Sequence, residues 1–306
     1  MIKRIFLFLL TNILVLVTIS IIIALAEHFL GIKISGYGLN YTGVLIYAAI
    51  VGFSGAFISL AISRWMAKRA YNIVLIEEKD LHSLSSKEQF FYQTVKNISQ
   101  NKGIKLPEIG IYDSAEPNAF ATGPSKNRSL VAVSTGLIET MNVDEIEGVI
   151  AHEMAHILNG DMVTMTLLQG IINTFVVFLS RILSTLISNY FRSDEEDNSG
   201  ADLTYFISSI VLDIIFSILA SIAIMAYSRK REFAADLGSA KLVGKDKMIR
   251  ALRKLQNMQD MMATDGLDKS STFNISSKNV GGFMAIFSSH PALDDRIKAL
   301  ENNYSI

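Results

Sequence analysis

Cysteine is absent from this 306-residue chain, and charged residues make up only 19% of it. Without cysteine there are no disulfides, no thiolate metal ligands and no cysteine nucleophile, so a metal site must use histidine and carboxylate side chains. Half of the residues are hydrophobic, and the charged share lies below the roughly 25% of soluble globular domains. The composition therefore predicts a membrane protein with a soluble part.

A strong net charge is also missing, because the formal charge at pH 7 is only -1. Such a chain has no basic field for holding a nucleic acid, and it carries no nucleic-acid-binding signature. We therefore expect the lipid bilayer to be a partner, and no DNA or RNA.

Four long stretches are nearly free of charge, and each is long enough to cross a bilayer, which takes roughly 20 apolar residues. They are 5–26, 41–63, 162–187 and 203–227. A cleaved signal peptide is the alternative for the first stretch, because "ALA" at 24–26 resembles a cleavage site. Its apolar run, however, exceeds the roughly 7 to 15 residues of a signal core. The sequence therefore predicts two transmembrane hairpins.

Basic residues indicate the direction of the hairpins. They flank the first hairpin at Lys3, Arg4 and 64–69, and "SRKRE" follows the fourth stretch, whereas the connection 191–200 is acidic. Since lysine and arginine concentrate in cytoplasmic loops, we predict a multi-pass protein whose soluble parts face the cytoplasm.

Two charges interrupt the second predicted hairpin. Arg181 lies in its first arm and Asp213 in its second, at similar distances from the outer loop. Charges in a bilayer are costly and usually pair or face a protein interior, so we predict that these two side chains pair. The alternatives are an ion pathway and partial insertion of this hairpin.

The chain therefore divides into a hairpin (1–63), a soluble part (64–161), a second hairpin (162–227) and a second soluble part (228–306). Within the first soluble part, "EIGIYD", "NAFAT" and "SLVAVST" are short runs with β propensity, separated by turn residues. They predict a small sheet beside helices, in a mainly α-helical membrane protein.

The stretch "MNVDEIEGVIAHEMAHILNGD" predicts one helix, with Asn142 as its N-cap and Gly160 as its stop. On this helix His152 and His156 lie one turn apart on the same face, so both imidazoles can bind one ion. Glu153 then stands beside the ion and can accept a proton from water. The alternative is a surface helix with solvated histidines; this composition gives HExxH by chance about once in three hundred such chains.

A third ligand is predicted at Glu232 in "REFAAD". Helical spacing places Asp236 one turn later, where it can accept the free ring N–H of a ligand histidine. An ExxxD pair by itself is typical of a solvated helix face. Two membrane crossings separate Glu232 from His152, however, and an even number of crossings returns both to the same side.

A hydrolytic site also needs a donor for the developing oxyanion. His290 or Arg296, in "SSHPALDDRI", are the candidates, and Arg296 is also predicted to support the site without binding the metal. A lone histidine before proline is otherwise typical of a turn.

The ordered motifs "NAFATG", "HEMAH" with "NGD", "REFAAD" and "SHPALDDRI", between and after hydrophobic pairs, resemble the HtpX heat-shock membrane proteases. These lie within a wider group of zinc endopeptidases that includes the CAAX prenyl proteases. The resemblance implies a cytoplasmic α+β domain of the zincin type, with one Zn²⁺ per chain bound by His152, His156 and Glu232.

The resemblance also implies roles for residues around the metal. Glu153 would be the catalytic base, Asp236 would support a ligand, and His290 would lie near the metal. The implied substrate-binding sheet edge comprises Asn118, Ala119, Phe120, Ala121 and Thr122, where a peptide would add as a strand.

The function that the resemblance implies is cleavage of misfolded or damaged membrane proteins, from the cytoplasmic side of a bacterial plasma membrane, during stress. A CAAX-type processing protease is an alternative with the same chemistry. Other classes are a zinc transporter, disfavoured because the four spans contain no histidine, and a non-catalytic zinc-binding scaffold.

Overall fold

The structure is a computed structural model that describes residues 41–191, 199–264 and 290–302, and five isolated positions between 21 and 29. The predicted first span, 5–26, and its signal-peptide alternative lie outside the described residues, apart from positions 21, 24 and 25.

Helices dominate the described chain, and the strands of one small sheet lie among them. The helices are α1 (Tyr41–Ala70), a 3-10 helix (Glu78–Ser83), α2 (Ser86–Asn101), α3 (Thr135–Thr140), α4 (Val143–Asn159), α5 (Asp161–Tyr190), α6 (Ser199–Val243), α7 (Lys245–Thr264) and α8 (Leu293–Asn302). The strands are β1 (Val74–Leu75), β2 (Glu108–Tyr112), β3 (Ala119–Ser125) and β4 (Arg128–Ser134).

The chain forms two compact units, the first comprising Met1–Ser59 and Met165–Ile224. Three helices in the described part of the chain are long and apolar enough to cross a membrane: Tyr41–Ala70, Asp161–Tyr190 and Asp202–Val243. They contain the second, third and fourth predicted spans. In this unit Gly52 allows close packing of α1 on α5, because a Cβ there would lie 2.6 Å from the Thr174 backbone nitrogen.

The predicted ion pair is present in the first unit. Arg181 Nη2 on α5 donates to Asp213 Oδ2 on α6 at 3.0 Å. This ion pair confirms the predicted contact. Pairing lowers the free-energy cost of placing two charged side chains in an apolar hairpin.

The second unit, Leu60–Thr164 and Met225–Ile306, contains the sheet. Its strand order is β1-β2-β4-β3. The inner pair β2 and β4 is parallel, with Gly110 opposite Ala132, and the outer pairs are antiparallel. The three strands predicted from sequence are therefore confirmed, whereas β1 was missed. Strand β3 forms one edge of the sheet.

Helix α4 lies at the centre of the hydrophobic core of the second unit. Its apolar residues Ile146, Ile150, Met154 and Ile157 are fully buried. They belong to one cluster with side chains of α2, β4, α7 and α8. Burial on several sides fixes the orientation of α4, and hence the direction of its histidines.

The mainly α-helical architecture with membrane-length helices and a small sheet agrees with the predicted fold class. The four-part division at residues 63, 161 and 227 stays a prediction.

Candidate metal centre

Local interactions define both ends of α4 as the sequence predicted. The Asn142 side chain accepts from Glu145 N at 3.0 Å, and the Glu145 carboxylate accepts from Asn142 N at 2.8 Å. At the other end Gly160 has φ of 72°, a left-handed conformation that favours glycine and ends the helix. His152 and His156 lie on the last turns of this helix and are buried.

The structure brings His152, His156 and Glu232 together, with one potential ligand atom of each within 4.8 Å of the others. The two Nε2 atoms are 3.1 Å apart. The Glu232 carboxylate oxygens lie 3.4 Å from His152 Nε2 and 3.5 Å from His156 Nε2. Glu232 reaches this position from α6, which continues as one helix beyond the fourth predicted span to Val243.

On each imidazole, a separate carboxylate contacts Nδ1, the ring nitrogen that does not point to the cluster. Asp236 Oδ1 lies 2.9 Å from His152 Nδ1, and Asp161 Oδ2 lies 2.6 Å from His156 Nδ1. A carboxylate accepts hydrogen bonds, so Nδ1–H of His156 donates to Asp161. The nearby Asp236 carboxylate favours the same Nδ1–H tautomer of His152. Each Nε2 atom is then directed into the cluster. The contact predicted for Asp236 is therefore present.

This donor set fits a metal ion. Two Nε2 lone pairs and a carboxylate face each other at 3.1 to 3.5 Å, an arrangement that needs a positive charge between them. Ligands about 2.0 to 2.1 Å from a tetrahedral ion are separated by about 3.3 Å. Nitrogen and oxygen donors at these separations therefore match a tetrahedral site.

The same carboxylates control proton binding by the two histidines. Burial lowers the pKa of His152, but hydrogen bonds with Asp236 and Glu232 outweigh burial and raise the pKa to about 9. Burial also lowers the pKa of His156, whereas hydrogen bonds with Asp161 and Glu232 raise it, and the net shift is upward. Without a metal, a proton supplies the positive charge that the cluster needs.

Arg296 forms a two-point ion pair with Asp236. Its Nε donates to Asp236 Oδ2 at 2.8 Å and its Nη2 to Asp236 Oδ1 at 2.6 Å. Its Nη1 lies 3.7 Å from Glu232, and the residue is only 2% exposed. This geometry favours the supporting role predicted for Arg296 over its alternative role as an oxyanion donor.

A cavity of about 340 Å³ opens beside the cluster. Glu153 and His290 line it together with the three candidate ligands. His290 Nδ1 lies 3.1 Å from Glu232 Oε2. Both residues predicted to take part in catalysis therefore lie in the same cavity as the candidate ligands.

The predicted substrate segment borders this cavity. Asn118, Ala119, Phe120 and Ala121 line it, whereas Thr122 is not among the lining residues. Because β3 pairs with β4 alone in the described sheet, its other side has backbone groups available for a further strand.

Three residues around the site were not found from sequence: Asp161, Arg231 and Tyr71. Arg231 and Tyr71 line the cavity, and Arg231 lies 3.8 Å from both Asp161 and Glu232. Asp161 belongs to the "NGD" that follows the HExxH helix, so the sequence marked this segment without indicating a role for the aspartate. No comparable signal marks Tyr71.

Two histidines on an HExxH helix meet a carboxylate from α6. In a chain with membrane-length helices, this group defines the class as a membrane metalloprotease. Residues 85–304 match peptidase family M48. The chain belongs to this family, which confirms the predicted metalloprotease activity and implies a metal.

Curated relatives extend the match over almost the entire chain. The protease HtpX homolog of Bacillus subtilis (strain 168) is 50% identical, covering 98% of this chain and 99% of the relative. The protease HtpX of Tolumonas auensis is 48% identical, covering 97% and 98%. These relatives confirm the resemblance stated from the motifs.

A solved structure supports the fold. The crystal structure of S. mikatae Ste24p matches with a TM-score of 0.59 and 19% identity, covering 98% of this chain and 67% of that one. At this identity the likeness shows the fold alone, and it confirms the predicted membrane metalloprotease fold.

Proposed function

We propose that this protein is a zinc-dependent endopeptidase that holds one Zn²⁺ with His152, His156 and Glu232. The observation that carries the proposal is the convergence of two Nε2 atoms and a carboxylate within hydrogen-bonding distances, while both Nδ1 atoms face other carboxylates. Nitrogen and oxygen ligands in a tetrahedral arrangement suit zinc.

Zinc bound in this group would supply Lewis acidity toward the scissile carbonyl and the attacking water. Glu153 lines the cavity without belonging to the ligand group, so its carboxylate is available to accept a proton from the water. It then returns this proton to the leaving amine. His290 donates a hydrogen bond to the developing oxyanion.

The substrate lies along β3 as an added strand. Asn118 to Ala121 border the cavity, and strand addition presents a peptide bond to Glu153 through main-chain hydrogen bonds. Thr122 extends the same edge beyond the cavity. Main-chain recognition is tolerant of side chains, and it requires an extended segment, which unfolded proteins provide.

We further propose that the substrates are misfolded or damaged membrane proteins, cleaved at the cytoplasmic side of a bacterial plasma membrane during stress. The basic residues beside the hydrophobic stretches support this orientation. Bacterial relatives named protease HtpX support a bacterial membrane protease, and the quality-control role is the one that the resemblance implies. Residues 64–161 and 228–306 then form the cytoplasmic catalytic part.

The test compares Glu153→Gln with the wild type and with Asp144→Asn, purified in detergent with zinc. Asp144 is a half-exposed acid on the same helix, and it pairs with Arg250 at 3.0 Å. We expect Glu153→Gln to keep zinc and to lose casein cleavage by about 10² to 10⁴ fold. The Asp144→Asn control should keep both. Wild-type cleavage by Glu153→Gln would refute the assigned mechanism.

The same assay separates the alternatives. A prenyl-protein processing enzyme would require a lipidated substrate, whereas we expect cleavage of unlipidated, unfolded membrane proteins. A transporter or scaffold would bind zinc without Glu153-dependent cleavage.

A further inference from the structure

We infer that Asp161 is the positioning residue for His156, and that it fixes the ring so that Nε2 faces the metal position. This inference rests on the proposed zinc site. Asp161 Oδ2 lies 2.6 Å from His156 Nδ1, closer than Asp236 lies to His152 Nδ1 at 2.9 Å. None of the roles assigned to the ligands, the base or the oxyanion donor accounts for this carboxylate.

The position of Asp161 follows from the turn that ends α4. Gly160 takes up φ of 72°, and the chain then begins α5 at Asp161. This left-handed turn returns Asp161 toward the last turn of α4, where His156 lies five residues earlier. Residues other than glycine seldom adopt the left-handed conformation. The position of the Asp161 carboxylate beside His156 therefore depends on the turn at Gly160.

Two positive features surround the Asp161 carboxylate. It is the first residue of α5, and the positive end of a helix dipole stabilises a carboxylate. Arg231 Nε lies 3.8 Å from the same Oδ2, which adds attraction without a short hydrogen bond. The residue is only 7% exposed, and a buried carboxylate needs these partners.

The two histidines have independent supports. Asp236, which supports His152, comes from α6 and is clamped by Arg296. Asp161 comes from the turn after α4. Removing Asp161 should therefore release the His156 ring while leaving His152 and Glu232 in place. Metal binding then weakens without being abolished, and loss of such a support typically costs about 10- to 100-fold in affinity.

The test measures metal binding by Asp161→Asn and Asp161→Ala in the full-length protein, with Asp144→Asn as the control. The zinc dissociation constant is obtained by chelator competition, and cobalt(II)-substituted protein reports the ligand geometry through its visible absorption. We expect an increase of about 10-fold for Asn, whose carbonyl oxygen can still accept from Nδ1–H, and up to about 100-fold for Ala. The control should match the wild type.

Thermal unfolding without metal separates positioning from folding. The Asn variant has nearly the shape of Asp, so it provides a folded variant if Ala does not fold. Unchanged zinc affinity and an unchanged cobalt spectrum in folded Asp161 variants would overturn the inference. The proposed function would fail separately if the wild type did not bind zinc or did not cleave protein.

Discussion

His152 and His156 are held at Nδ1 by different carboxylates, so their Nε2 atoms meet with the geometry of a metal site. The sequence was sufficient to predict the pair, because the HExxH spacing places both rings on one helix face. It also predicted Asp236, since helical spacing from Glu232 is regular. It did not assign Asp161, because a residue beyond a helix stop follows no periodic pattern and its position depends on the turn at Gly160.

Metal affinity should depend on pH because zinc must displace the proton of His152. The pKa of this group is raised to about 9, so each pH unit below 9 should weaken apparent zinc binding about tenfold through this proton alone. We expect chelator competition to show stronger binding at pH 8.5 than at pH 7. Equal dissociation constants at the two values would contradict this account.

The same shift has a defined effect on the metal-free protein. A pKa raised from 6.5 to about 9 contributes stability that is fully present below pH 6.5 and is lost as the pH rises through 9. The free energy of unfolding that His152 adds to the metal-free protein should therefore decrease as the pH rises from 6.5 to 9.

Arg296→Met should strongly destabilise the protein, because it leaves the Asp236 carboxylate buried without its charged partner. Breaking a buried pair typically costs about 3 to 5 kcal/mol. Arg253→Met is the matched control, since Arg253 pairs with Glu301 at the surface with side chains 59% and 43% exposed. Such pairs contribute about 0 to 1 kcal/mol. Similar unfolding midpoints for the two variants would contradict a stabilising role for the buried ion pair between Arg296 and Asp236.

At the scale of elements, strong local signals were predicted correctly and weak ones were not. Helix α4 has a capping box and a glycine stop, so its bounds follow from sequence. Strand β1 has only two residues, both exposed, and it exists because it pairs with β2. Helix α6 continues through the basic segment to Val243, and no glycine or proline there signals a break.

The α5–α6 hairpin should depend on its ion pair. Arg181→Leu or Asp213→Leu alone leaves one charge in an apolar hairpin, whereas the double variant leaves none. We expect each single variant to lower the thermal unfolding midpoint in detergent, and the double variant to recover part of the loss. A double variant as unstable as the sum of both singles would show that the observed contact contributes no coupling.

At the scale of the whole molecule, the predicted ligands come from segments separated by the α5–α6 hairpin. Counting two crossings was enough to predict that Glu232 returns to the side of His152. It was not enough to give the face of α6 that carries Glu232, because this depends on packing against α4. There a Cβ at Gly238 would lie 2.7 Å from Ala155 Cβ, so small residues allow the close approach.

The central claim is that His152, His156 and Glu232 bind a single zinc ion. Anomalous diffraction at the zinc edge, from crystals of the full-length protein, tests it most directly. We expect one peak per chain, about 2.0 to 2.1 Å from both Nε2 atoms and about 2.0 to 2.2 Å from a Glu232 oxygen. A peak that contacts the histidines but lies beyond coordinating distance of Glu232, or a zinc-loaded active protein with no peak there, would contradict the claim.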